Sequence, residues 1–294
     1  MTKRAAEADA ETAAAASASA KSTPAAVAAE AVQAADVVTR DVWLQRRKEL
    51  LAAEKQWTRR KDELAAQRRA LGMVLVDNPY SFEASDDSAK HTLAELFGDE
   101  HNQLIVYHLM YADNYDDACK RCSFLLDHLR GVLPHLEQKA RFVAVAAAAP
   151  TKLAELKQRK QWPFAVYSSR SSTFNRDYGV EFSVPKTDTI TYNYNDKHPS
   201  YGMSQWPGLS VFAKRADGTV YHAYSTYGRG LDILLGTYNL IDLTPAGRNE
   251  AGAMSWVQHV EQYGGAGGGA AGEAHSGGGG ATTTTAAADG ADEK

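Results

Sequence analysis

Two cysteines, Cys119 and Cys122, stand three residues apart in a chain of 294, with Lys120 and Arg121 between them. This spacing can serve a dithiol, half of a metal site, or plain core packing. If a helix begins at the pair, both thiols fall on one face. The free N–H groups and the positive dipole end at the helix start favour thiolate at Cys119. Lys120 and Arg121 push the same way, whereas Asp116 and Asp117 oppose it unless one of them caps the helix. The sum predicts a Cys119 thiol below the ordinary pKa of about 8.5. In that chemistry Cys119 attacks a substrate disulfide and Cys122, one turn deeper, resolves the mixed disulfide. Two other readings stay open. Cysteine is often a small buried hydrophobe, and a zinc site with His128 and His135 can be drawn, though its spacing is not one of the usual zinc patterns.

The elements that must hold such a pair can be read outward from it. Residues 103–111 form a continuous apolar run suited to a strand covered on both faces. A loop over 112–118 leads into a helical pattern carrying Phe124, Leu125, Leu129, Val132 and Leu133, where Pro134 should kink or restart the helix. A strand over 141–147, a helix opened by Pro150 and ending near 160, and a strand over 164–168 follow. A short helix at 173–178 ends at Gly179. Segment 189–194 alternates polar and apolar residues. Strands over 208–214 and 219–225 flank Ala216-Asp217-Gly218, a hairpin signal, and 231–243 reads as a closing helix. Upstream, Val74–Val76 is β-prone and 92–97 reads as a helical turn with Leu93, Leu96 and Phe97. This order predicts an α/β fold, a mixed sheet with helices on both faces.

Residues 39–71 read as a long charged helix capped by Asp41. Trp43, Leu50, Trp57, Leu64 and Leu71 recur every seventh residue, but no second apolar position completes a coiled-coil seam. One narrow stripe should therefore pack on the domain or on a partner, a route to a helix-mediated oligomer. Its many Arg and Lys residues are interleaved with Asp41, Glu49, Glu54, Asp62 and Glu63, as in a solvated, ion-paired helix. Residues 1–38 are Ala-rich, and within 251–294 the Gly, Ala and Thr composition from about 264 lacks the side chains needed for a core. Both ends read as disordered, leaving 72–250 as the folded domain.

The formal net charge of −4 argues against nucleic acid as a partner. No run of about 18 apolar residues predicts a membrane span. No apolar region follows Met1-Thr2-Lys3-Arg4, so a cytoplasmic location is the default. No phosphate-binding loop, serine-nucleophile arrangement or metal signature stands out, so no cofactor is expected. His108, inside the buried run, reads as a core histidine. Tyr192, Tyr194, Trp206 and Tyr227 belong to an aromatic-rich stretch that strands favour in any case and that could also line a substrate groove. Arg229, between Gly228 and Gly230, is suited to an anionic group or a surface ion pair. Trp206, Pro207, Tyr227 and Arg229 are thus the candidate substrate-binding residues.

Taken together, Trp43-Leu44, Gln103 to His108, Cys119-x-x-Cys122-Ser123-Phe124, Pro207 to Phe212 and Tyr224 to Asp232 resemble the bacterial DUF899 family. The resemblance covers residues 40 to 250 and implies a thioredoxin-like fold with no assigned activity. In such folds a cis-proline opposite the CxxC begins a strand, which would be Pro207. The expected function is thiol–disulfide oxidoreductase, acting on a protein or small-molecule disulfide. The alternative is a non-catalytic thioredoxin-fold binding or scaffold protein. A peroxiredoxin-like peroxidase fits less well: the Thr or Ser expected three residues before the reactive cysteine is Asp116 here, and an ionised carboxylate cannot donate to a peroxide.

Overall fold

A computed structural model describes residues 29–30, 32–33, 35–86, 89–183, 189–197 and 204–263. Of the stretches read as disordered from composition, 1–38 and 264–294, positions 1–28, 31, 34 and 264–294 lie outside the described residues.

The long charged helix is α1, Arg40–Arg69, with Thr39 as its cap; the Thr39 hydroxyl oxygen accepts from the Val42 N–H at 3.4 Å. Asp41 lies in the first turn, where its charge suits the dipole. No residue of α1 is buried. The seven-residue stripe stays exposed, Trp57 at 66%, so it does not pack on the domain. The helix is held by its own ion pairs, Arg47–Glu54 and Arg60–Glu63, both at 2.9 Å. Gly72 follows at φ +87°, a left-handed turn that glycine makes without strain.

The strands of the described residues are, in chain order, β1 (Val74–Leu75), β2 (Ser81–Ala84), β3 (Lys90–Thr92), β4 (Gln103–His108), β5 (Arg141–Ala146), β6 (Ala165–Ser168), β7 (Ile190–Tyr192), β8 (Asn195–Lys197), β9 (Gly208–Lys214) and β10 (Val220–Tyr227). All but β7 and β8 build one mixed sheet, in the order β1-β10-β9-β4-β5-β6-β2-β3. β4, β5 and β6 run parallel; β9 lies antiparallel to β4 and forms a hairpin with β10. A separate small hairpin joins β7 to β8. The pair β2–β3 is the element that sequence patterning missed, because Ser81–Ala84 and Lys90–Thr92 are short and mostly polar.

The connections from β4 to β5 are α2 (Lys120–Asp127) and α3 (Leu129–Leu136); α4 (Pro150–Lys160) joins β5 to β6. The helical run breaks at His128, not at Pro134, which sits inside α3. His128 explains the break: Nδ1 donates to the Phe124 carbonyl at 2.6 Å, and Nε2 accepts from the Thr237 N–H at 2.9 Å. A short α5 (Phe174–Asp177) ends at Gly179, with φ +63°. The predicted closing helix is a 3-10 turn, Gly228–Leu234, followed by α6, Gly236–Ile241.

Strand alternation divides the core into two layers. Tyr107, Phe142, Ala144 and Val166 face α2, α3 and α4, where Leu125, Leu126 and Leu153 are buried. Leu104, Val106, Val143, Val145 and Phe212 face Phe97 and Phe174 on the other side. Helices thus cover both faces of a thioredoxin-like mixed sheet. Beyond residue 250, Val257 is completely buried in the first layer and Trp256 packs on Phe124 at 5.7 Å.

Candidate functional site

β4 runs through the middle of the sheet and delivers the chain to one end of it. The loop that follows is fastened at several points. Lys152 Nζ donates to the carbonyl oxygens of Asp113 and Tyr115 at 3.2 and 2.7 Å. Asp113 accepts from the Ala149 N–H at 2.8 Å and pairs with Arg170 at 3.1 Å. Asp117 accepts from the Ala118 N–H at 2.7 Å, pairs with Arg159, and meets His259 at 3.4 Å. Neither aspartate before the cysteines caps α2; Asp117 is engaged with Arg159, and the N-cap is Cys119 itself. Its N–H donates to the Met110 carbonyl at 3.0 Å, which ties the start of α2 to the end of β4.

Both cysteines are free thiols; Cys119 is half-buried and Cys122 is buried. Their acidities are pulled apart. The Cys122 thiol donates to Cys119 and favours its thiolate; burial opposes this. The N–H groups of Cys122 and Arg121 and the Arg121 charge then carry the Cys119 pKa down to about 6. Cys122 moves the other way: it donates to the Cys119 thiolate and is fully enclosed, so its thiol is raised well above the ordinary value.

Two tyrosines complete the surroundings. Tyr107, on β4, points into the same layer and its hydroxyl partners Cys122; burial raises its own pKa. Tyr192, on β7, also feels Cys122, and burial raises its pKa first of all. Its hydroxyl donates to the Pro207 carbonyl at 2.7 Å and accepts from the Gly228 N–H at 2.9 Å. Trp206 lies 4.6 Å and Tyr227 5.5 Å from the Tyr192 ring. Three of the four expected binding residues therefore gather around Tyr192. Pro207 directly precedes Gly208, which pairs with His108 at the end of β4. Arg229 does not join them: its side chain is 87% exposed and paired with Asp232 at 2.7 Å. The Tyr107 role was hidden in an apolar run, where one hydroxyl leaves no trace in the periodicity.

The zinc reading loses one of its two histidines. Both nitrogens of His128 are occupied by backbone and Thr237, and no metal-ligating cluster occurs among the described residues. No helix among the described residues is long and apolar enough to cross a membrane.

Comparison with known proteins adds family and outline. A family model described as "Bacterial protein of unknown function (DUF899)" matches residues 32–263. No curated protein matches the chain. Among solved structures, a cysteine-to-serine mutant of peroxiredoxin Q from Xanthomonas campestris is 11% identical, covering 56% of this chain and 95% of that one, with a TM-score of 0.38. Peroxidoxin BcpB from Mycobacterium tuberculosis is 12% identical over 57% and 98%, TM-score 0.36. A thiol peroxidase from Chromobacterium violaceum is 16% identical over 56% and 84%, TM-score 0.36.

Proposed function

We propose that this chain, which belongs to the bacterial DUF899 family, is a thiol–disulfide oxidoreductase using Cys119 and Cys122. One observation carries the reading: a half-buried thiol of lowered pKa, still reached by solvent, starts α2, and a buried thiol of raised pKa lies one turn below it. That asymmetry divides the labour of disulfide exchange. A nucleophile must be ionised and reachable, and the resolving thiol must be close and shielded.

The Cys119 thiolate attacks one sulfur of a substrate disulfide. The substrate S–S bond breaks, a Cys119–substrate disulfide forms, and the second substrate sulfur leaves as a thiolate that takes a proton from water. Cys122 then gives up its proton and attacks the Cys119 sulfur. The Cys119–Cys122 disulfide forms and the remaining substrate thiolate departs. The substrate gains two electrons and the protein loses two; a thiol reductant restores the pair. Tyr107 is placed to donate a hydrogen bond to the Cys122 sulfur as it ionises. Trp206, Pro207 and Tyr227, which gather around Tyr192, are the residues we assign to substrate binding.

The test is turnover of hydroxyethyl disulfide, with dithiothreitol as reductant, beside a glutathione titration of the pair followed by mass. Reversible formation of one intramolecular disulfide, with Cys119→Ser inactive and Cys122→Ser trapped as a mixed disulfide, is the expected result. Two thiols that never pair across the titration would overturn the reading.

A further inference from the structure

The charges around Cys119 specify what kind of disulfide the site accepts. Lys120 and Arg121 are both exposed, and neither has an ion-pair partner among the described residues. They flank the only part of the pair that solvent reaches. Other charges on the loop are largely matched: Asp113 pairs with Arg170, and Asp117 with Arg159. Lys152 projects under the same loop, bonded to carbonyl oxygens and lying 4.8 Å from the Tyr111 ring centre. On the α2 side of Cys119 both exposed charges are positive, with the exposed Asp116 on the loop side, in a chain whose overall formal charge is −4.

We infer that the dithiol selects disulfides carrying carboxylates close to their sulfur atoms. The inference rests on the oxidoreductase reading and names its substrate class. In the attack geometry the reacting sulfur sits on Cys119, so its substituents extend over the first turn of α2, where Lys120 and Arg121 stand. Negative substituents are drawn into that position and positive ones repelled, at a range within one Debye length of about 8 Å. Arg121 has a second effect, since it also favours the Cys119 thiolate. A preference among substrates separates the two effects, because thiolate formation changes all rates alike.

The experiment measures the rate of oxidation of the reduced protein by three small disulfides of different charge. Hydroxyethyl disulfide is neutral, dithiodiglycolate is a dianion and cystamine is a dication. At low salt the dianion should outpace the dication by about tenfold or more after each is normalised to its reaction with free glutathione. The ratio should fall several-fold in 0.5 M salt (roughly a 4 Å screening length) and in the Lys120→Ala/Arg121→Ala double variant. Equal rates for the three, a faster dication, or a preference that survives the double substitution would overturn the inference. No reaction with any of the three, the neutral one included, would instead overturn the oxidoreductase reading.

Discussion

Tyr107 and His108 are neighbours on β4 and point to opposite faces of the same sheet, and the two faces treat a titratable group in opposite ways. On the Tyr107 side, the hydrogen bond from Cys122, the N–H groups at the start of α2 and the Arg121 charge bring the Cys119 thiol to about 6 against the effect of its burial. On the His108 side, burial pushes the imidazole down to about 3, so it stays neutral. His108 Nε2 shares a 2.8 Å hydrogen bond with Ser210, Ser210 another with Ser225 at 2.8 Å, and Ser225 meets His222 at 2.7 Å. Phe174 and Tyr178 cover the ring. Both faces bury polar atoms. What separates them is whether N–H dipoles and cations are aimed at the group, so that an ionised form is stabilised instead of excluded.

The largest expected effect removes one side of the contrast. Cys119→Ser should abolish disulfide turnover, whereas Cys122→Ser should keep the first exchange and accumulate a mixed disulfide, seen by intact mass. The next effect lies on the other face. His108 takes a proton in the unfolded chain below about pH 6.5 but refuses it in the fold, so the stability it confers is complete above 6.5 and is lost as pH falls toward 3. The slope from this residue is about 1.4 kcal/mol per pH unit. Denaturant melts between pH 6.5 and 4 should show it, and His108→Leu should flatten that limb.

A smaller effect concerns the frame between the faces. A Cβ added at Gly208 would lie 2.7 Å from Tyr227 Cδ1 and 2.9 Å from Val180 Cγ1. Gly208→Ala should therefore cost about 1–3 kcal/mol in a denaturant melt. Smallest of all, Tyr107→Phe should slow resolution of the mixed disulfide several-fold and leave the first exchange unchanged. A rapid-quench assay that separates the two steps would show this, and equal slowing of both would assign Tyr107 to packing alone.

Much of this was legible in the residues. The run from Leu104 to His108 announced a central strand, and Pro150 opened its helix where expected. The CxxC announced a helix start and a second thiol one turn below, and the hydrogen bond from Cys122 with the N–H groups of that start sets the acidity of Cys119. What stayed hidden depended on contacts distant in sequence. His128 ends α2 because Thr237, 109 positions later, receives its ring. Asp117 is drawn from capping by Arg159, on α4. Tyr192 gathers Trp206, Pro207 and Tyr227 from a separate hairpin. Arg229 could be read as an anion site or as a surface ion pair, and Asp232, three residues on, decides for the ion pair. Local periodicity cannot register such partners, because they add no apolar period and no turn signal.

The central claim is that one thiol of the pair is activated and the other suppressed. Its most direct test is the pH dependence of iodoacetamide alkylation, with each cysteine followed by peptide mass. Cys119 should react first, with a midpoint near pH 6, so that about nine-tenths is thiolate at pH 7, against about 3% for an ordinary thiol. Cys122 should stay unmodified across the same range. Midpoints near 8.5 for both thiols, or Cys122 reacting first, would contradict the account.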